Sequence, residues 1–427
     1  MKIGIDIRTL MDARYSGVSE YTFNLVKEIL KLDMTNEYRL FYSSFREVRG
    51  PMRILARTNA EIVWLKWPNK ILNYFLFKLF NWPKIDKMLD VKAFFMPHIN
   101  FVGLNPPYPP FTKGASRILT IHDLSFLRYP EFFSRRKNFW HKMINVKKLV
   151  KKFNIIVAVS ENTKWDIVEL CDVNPNKVMV IYSGVGEEYY PINPKSQIPN
   201  PKQIQNPKFS AEGGSLPKAD QPRAGATHSG GKKDIDRLAE VKQKYNLPDK
   251  FILSLGTLEP RKNIEGLIRA YNELRIKNKE LSIYKLIIAG GKGWKGGSIF
   301  RAWQSSSFKE DIKFLGYVDS EDKPYLYNLA SIFVYPSFYE GFGFPPLEAM
   351  ACGVPIVTSA VSSLPEVVGD AGILVDPYNT ADITSAIEEV LSDEDLRDDL
   401  IQRGLERAKM FNWEKTAGEY LSLFIFG

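Results

Sequence analysis

Two carboxylates, Glu340 and Glu348, stand with seven residues between them in Tyr339-Glu340-Gly341-Phe342-Gly343-Phe344-Pro345-Pro346-Leu347-Glu348. The stretch follows an apolar run that ends near Pro336. Gly341 and Gly343 let the backbone come close to a ligand. Pro345 and Pro346 suit the first turn of a helix, where a missing N–H costs nothing. Glu348 then falls about one turn in. Free amides at a helix start favour an anion or a cluster of hydroxyls, and a carboxylate beside them can accept bonds from sugar hydroxyls. A capping glutamate on an ordinary loop would leave the same pattern.

Gly256-Thr257-Leu258-Glu259-Pro260-Arg261-Lys262-Asn263 also follows an apolar run and opens a helical pattern. Arg261 offers a planar fork of donors and Lys262 a compact charge, a pair suited to a diphosphate. A solvated basic turn is the plain alternative. In Thr120-Ile121-His122-Asp123-Leu124, His122 stands at a strand end, where it could donate to or orient a sugar hydroxyl, or serve packing alone. The Asp-x-Asp pairs Asp234/Asp236 and Asp393/Asp395 fall at expected helix starts, where capping is the expected role. No metal site is expected.

These segments need a frame that brings strand ends together. Apolar runs at Lys2–Ile7, Arg39–Tyr42, Ala93–Met96, Ile118–Ile121, Ile155–Val159 and Val178–Ile181 alternate with helical patterns such as Tyr21, Leu25, Ile29 and Leu30. After residue 234 the alternation resumes, with strands expected at Phe251–Leu255, Lys285–Ala289, Lys313–Leu315, Ile332–Tyr335 and Pro355–Thr358. Strand and helix in alternation imply parallel sheets covered on both faces. Ligands bind such sheets outside the carboxyl ends of the strands. The expected organisation is α/β: a Rossmann-like, doubly wound domain over 1–193, a linker or insertion over 194–233, and a second such domain over 234–427. A cleft lies between the two domains. The 194–233 segment is rich in Pro, Gly, Lys, Gln and Ser and nearly free of large apolar residues. Such a composition cannot offset its own ordering entropy.

Composition narrows the partners. The chain has 427 residues, 44% of them hydrophobic, and a net charge of +9. This supports real cores and favours anionic partners. Cys171 and Cys352 form no CxxC pair, which disfavours zinc and disulfides and fits a reduced, cytosolic setting. Asp6 and Arg8 interrupt any signal-peptide core, so no secretion signal is expected. Two stretches suit peripheral contact with the anionic inner face of a plasma membrane. Trp64 to Trp82 carries Trp64, Trp67, Phe75, Phe77, Phe80 and Trp82 with Lys66, Lys70 and Lys78. Arg135 to Lys152 carries eight cations and no acid, with Trp140, Ile144 and Val150 spaced as on one amphipathic helix. A core-packed helix with a solvated basic face is the alternative. Nothing resembles a nucleic-acid module.

The Glu340/Glu348 pair resembles the EX7E signature of the retaining glycosyltransferase family 4. GTLEPRKN, SFYEGFGFPPLEAMACGVPIV and HDLSFLRYPEFFS are similar to bacterial mannosyltransferases of that family that build O-antigen and related glycans. The resemblance spans nearly the whole chain except the 194–233 insertion. It implies the GT-B fold and transfer of a hexose, mannose from GDP-mannose, to a glycan or lipid-linked acceptor. It also implies retained anomeric configuration, no metal, and no cofactor besides the nucleotide-sugar co-substrate. By the same resemblance Arg261 and Lys262 bind the diphosphate and Glu340 stands at the donor sugar. The amides of Gly341, Phe342 and Gly343 meet that sugar's hydroxyls. Glu348 binds the ribose, Val318 lies beside the base, and Gly17 belongs to the loop beneath the diphosphate. His122 lies near donor sugar and acceptor. The family's usual Gly-Gly is Ser16-Gly17 here, which leaves the part of Ser16 open. UDP-glucose or another nucleotide sugar, a non-catalytic sugar-nucleotide binder, and a phosphorylase on the same architecture are the competing readings. The last lacks a segment for the pyridoxal phosphate lysine.

Overall fold

The computed structural model describes residues 1–11, 17–48, 55, 59–78, 85–101, 116–192 and 231–426. Two parallel sheets organise them. The first has seven strands: β1 (Lys2–Asp6), β2 (Glu37–Ser43), β3 (Ala60–Leu65), β4 (Ala93–Met96), β5 (Ser116–Ile121), β6 (Ile155–Ala158) and β7 (Val178–Val180), in the order β3-β2-β1-β4-β5-β6-β7. The second has six: β8 (Phe251–Leu255), β9 (Lys285–Ala289), β10 (Ile312–Gly316), β11 (Ile332–Tyr335), β12 (Ile356–Ser359) and β13 (Ile373–Val375), in the order β10-β9-β8-β11-β12-β13. Both run 3-2-1-4-5-6 from one edge, the dinucleotide-fold order. Each reverses direction at one pair, β1/β4 and β8/β11, which opens a crevice at the carboxyl ends.

The two expected sheets are present, and the central strands fall where continuous apolar runs placed them. Every residue of β5, β8, β11 and β12 is buried, as strands covered on both faces must be. Helix Gly17–Leu32 turns Tyr21, Leu25, Val26, Ile29 and Leu30 into the core. Burying each such apolar side chain is worth about 1.5–3 kcal/mol. Helix Ile264–Lys277 is capped by Asn263, whose side chain accepts from Gly266 N while its own backbone sits at φ 52.

Four features differ from the sequence reading. β3 takes in the start of the stretch read as interfacial aromatics, Trp64 and Leu65. Trp64 lies in that strand, stacks on Tyr42 at 6.1 Å and donates its indole N–H to Ser44 O at 2.9 Å. The side chains of Lys70, Phe77 and Lys78, together with Phe80 and Trp82, lie outside the described residues. The basic segment 135–152 is broken rather than one helix. Asn145 ends helix Arg135–Ile144 in the left-handed region at φ 50, and its side chain caps the next turn at Lys148 N. Of the expected apolar stripe, Ile144 and Val150 are buried, but Trp140 faces outward. Asp393 caps helix Glu394–Lys409 through Leu396 N, as its spacing suggests. Asp234 sits instead inside the first turn of helix Lys232–Lys244, which Gly231 caps, and accepts from Tyr325. Residues 194–230 of the linker lie outside the described residues.

The last helix, Trp413–Phe426, returns to the first sheet's unit. Tyr420 Oη is 2.7 Å from Tyr21 Oη and 2.6 Å from Thr120 Oγ1, and its ring packs on Phe95. Just before it, Val185 N donates to Phe411 O.

Candidate functional site

One cavity of about 330 Å³ lies between the carboxyl ends of the two sheets. Gly17, His122, Arg261, Lys262, Val318, Glu340, Gly341, Phe342, Gly343 and Glu348 all line it. The topology explains the convergence. β5 delivers His122 and Asp123, β8 delivers 256–262, β10 delivers Tyr317 and Val318, and β11 delivers 337–343.

At its centre is a buried ion triad. Glu340 Oε2 accepts from Arg261 at 2.8 Å and Glu340 Oε1 accepts from Lys262 Nζ at 2.6 Å. Burial alone would raise the Glu340 pKa, but the two cations outweigh it and hold the carboxyl near 2. Burial likewise lowers the Lys262 pKa against the pull of Glu340. Arg261 also donates to Glu259 Oε1 and to Tyr339 O. The diphosphate pair read from the sequence is therefore already paired within the protein. Glu259, 2% exposed and with Oε2 lacking a partner among the described residues, belongs to this cluster. Its position inside the quoted GTLEPRKN segment was the available signal.

Beside the triad, the 340–343 loop shows a one-sided pattern. Its carbonyls are held: Ser363 Oγ lies 3.0 Å from Glu340 O and 2.8 Å from Phe342 O, and Ser160 Oγ donates to Gly341 O at 2.6 Å. Its amides are open: those of Gly341, Phe342 and Gly343 donate to no acceptor among the described residues. Gly343, at φ 114, then caps helix Phe344–Ala351, with the prolines in its first turn. Three consecutive free amides running into a helix start make a concavity for anions or hydroxyl oxygens.

Glu348 is 4% exposed and accepts from Tyr327 Oη at 2.7 Å. Burial lifts its pKa to about 7; Lys323 opposes the rise and Glu20 adds to it. Lys323 in turn reaches across to Glu20 of the first sheet's unit at 3.3 Å. Sequence reasoning missed Lys323 and Glu20, since neither lies in a motif.

His122 Nε2 donates to Pro97 O at 2.8 Å, and its ring meets Tyr21 edge-on at 4.6 Å. Burial holds its pKa below the ordinary range, although Pro97 and Asp123 pull the other way. The ring is neutral with its proton committed to Pro97. Its other nitrogen is then an acceptor, so of the two roles read from the sequence it suits orienting a hydroxyl rather than donating to one. Gly17 opens its helix at the cavity edge, where among the described residues an added Cβ would meet only Phe344, at 3.8 Å. Ser16 lies outside the described residues. Val318 is buried in the wall next to the half-exposed Tyr317.

Comparison with known proteins follows this division into two sheets. Residues 15–189 match the family model described as Glycosyltransferase Family 4, and residues 237–407 the model described as Glycosyl transferases group 1. O-antigen chain mannosyltransferase B of Escherichia coli is 33% identical over 309 residues, which cover 72% of this chain and 69% of that one. Serotype-specific mannosyltransferase WbdA of Escherichia coli is 32% identical over 305 residues, or 70% of this chain but 32% of that longer relative. A solved sucrose-phosphate synthase from Thermosynechococcus elongatus superposes with a TM-score of 0.70 at 18% identity over 100% of both chains, a likeness of fold. A family model on each sheet, a shared two-sheet architecture and a relative at this identity agree, and the chain belongs to the family 4 glycosyltransferases, with their GT-B fold.

Proposed function

We propose that this glycosyltransferase moves a hexose, mannose from GDP-mannose, to a glycan or lipid-linked acceptor in cell-surface polysaccharide synthesis, with retention of configuration and without a metal. The observation that carries the reading is the row of free amides at Gly341–Gly343 beside the Glu340–Arg261–Lys262 triad. Hydroxyls of a sugar fit the amides, and a diphosphate fits the cations. On this reading the 234–427 unit holds the donor and the 1–193 unit faces the acceptor, with 194–233 as a tether. Glu348 accepts from the ribose hydroxyls and Val318 lies against the base.

Charge that builds on the departing diphosphate is met by Arg261, Lys262 and the helix starts at Gly17 and Phe344. Such preorganised donors act strongly in a site that excludes water. Glu340 orients both cations and lies next to the sugar-binding amides. No nucleophile is assigned; the leaving phosphate assists deprotonation of the acceptor on the sugar's front face. The names of the Escherichia coli relatives, both mannosyltransferases, support mannose over other hexoses.

Among the described residues no helix is long and apolar enough to cross a membrane. Peripheral contact is proposed through the exposed Phe139 and Trp140, which stand among Arg135, Arg136 and Lys142.

A thermal-shift panel of GDP-mannose, UDP-glucose and other nucleotide sugars tests the donor, because a ligand bound only to the folded state raises the melting temperature. Proton NMR of the product's anomeric signal tests retention. The largest shift with a UDP-sugar replaces GDP-mannose. A shift with no turnover on any glycan or lipid-linked acceptor favours a binding protein.

A further inference from the structure

We propose that the first sheet's unit sets the orientation of the donor-loop peptide between Gly341 and Phe342, through Ser160 and Thr163, and that Glu366 locks this arrangement from the other side. The inference rests on the donor reading above.

Ser160 caps helix Glu161–Cys171, its Oγ accepting from Thr163 N at 3.1 Å. The same hydroxyl donates to Gly341 O at 2.6 Å, and Thr163 Oγ1 donates to it at 3.1 Å. Two fully buried hydroxyls of one unit thus fill both lone pairs of a carbonyl in the other. The exchange is reciprocal. Glu366, in helix Leu364–Val368, accepts the amides of Glu161 and Asn162, each at 2.7 Å, and the hydroxyl of Tyr182 at 3.3 Å. A carboxylate there meets the positive end of the helix dipole and two amides that would otherwise lack partners. Arg407 anchors the segment by donating to Val367 O at 3.0 Å and to Glu366 O.

The consequence follows from peptide geometry. In a trans peptide the carbonyl and the following N–H point in opposite directions. Holding Gly341 O toward helix 161–171 therefore turns the N–H of Phe342 away from that helix. Gly341 has the backbone freedom to let this peptide flip. A flip would exchange a donor for an acceptor in the row that faces the sugar. Ser363 fixes the two neighbouring carbonyls from within the second unit, but among the described residues only Ser160 and Thr163 fix this one. They are positioning residues, supplied across the cleft.

The test compares wild type with Ser160→Ala/Thr163→Val, with Thr163→Val alone as the milder variant, and with Glu366→Ala. Calorimetry measures Kd for GDP and for the intact nucleotide sugar that wild type binds. Steady-state kinetics measures kcat. The double variant is expected to bind GDP within about twofold of wild type. It is expected to lose the extra affinity of the intact sugar nucleotide and at least about tenfold in kcat. Glu366→Ala is expected to follow the same split, and a Thr163→Ser control, which keeps the hydroxyl, to match wild type. Wild-type kcat and sugar affinity in the double variant overturn the inference. A parallel loss of GDP affinity also overturns it, because the residues would then serve general integrity. Wild-type protein that binds no nucleotide sugar overturns the donor reading first, an outcome visible before any variant is made.

Discussion

A Cβ built on Gly341 would lie 1.7 Å from the carbonyl oxygen of His122. Both partners are backbone, one on each side of the cleft, so neither can swing away. The second unit's 340–343 loop and the first unit's strand end meet here with no room for a methyl group. Gly341→Ala is expected to part the two units locally and misplace the amide row. Transfer should fall by about 100-fold, the scale of losing a preorganised donor. GDP binding by the second unit should persist. Near-wild-type kcat would mean that the contact in this structure is absent during turnover.

Glu340 is shared by Arg261 and Lys262, and its lowered pKa makes its ionised form a source of stability. The carboxylate's contribution is present above its ordinary titration range and is lost as pH falls toward about 2. Glu340→Gln keeps the shape but leaves buried Lys262 without its counter-charge and Arg261 with Glu259 alone. The unliganded variant should lose on the order of 3 kcal/mol. A bound diphosphate would restore the missing negative charge. The melting-temperature rise on adding GDP should therefore exceed that of wild type, while sugar transfer falls. A smaller rise than wild type would refute the placement of the diphosphate on this pair.

Glu348 gives the opposite pH signature. Its folded pKa of about 7 lies above the ordinary 4.5, so the folded chain retains a proton that the unfolded chain releases. Its contribution to stability is fully present below the ordinary value and is lost as pH rises toward about 7. On the donor reading proposed above the ionised carboxylate accepts from the ribose, so donor affinity should increase as pH rises through about 7. Glu348→Gln should abolish that dependence and raise KM with a smaller effect on kcat, since the ribose carries no developing charge. Titration of Kd against pH for both proteins is the check. A parallel pH dependence in the Gln variant assigns the effect elsewhere.

The break at Asn145 divides the basic surface into two parts with separable effects. Lys147, Lys148, Lys151 and Lys152 follow the break, whereas Phe139, 64% exposed, and Trp140, 39% exposed, precede it. Each cation near an anionic surface is worth about 1 kcal/mol, and salt screens the attraction. Changing the four lysines to Ser should lower co-sedimentation with anionic vesicles at low salt. Phe139→Ser with Trp140→Ser should remove the part that survives high salt. GDP binding should be unchanged in both. Equal partitioning of wild type and variants would leave this face solvated.

The central strands, the strand-end motifs and the Glu340/Glu348 pair were legible in the sequence because each is a local signal. A buried parallel strand is an apolar run, and the turn after it must carry the Gly, Pro and charged residues that meet a ligand. β3 was not legible, since its residues are mostly half-buried and Glu61 interrupts it on an edge of the sheet. Nor did the sequence signal that Arg261 and Lys262 are tied down by Glu340, that His122 gives its proton to Pro97, or that Ser160 and Glu366 link the two units across the cleft. Tyr21 and Tyr420, 399 residues apart, share a hydrogen bond that only the return of the last helix creates. Periodicity records which face of an element is apolar. It holds no record of which distant face covers it, and partnership between buried polar groups is decided only when the two surfaces meet.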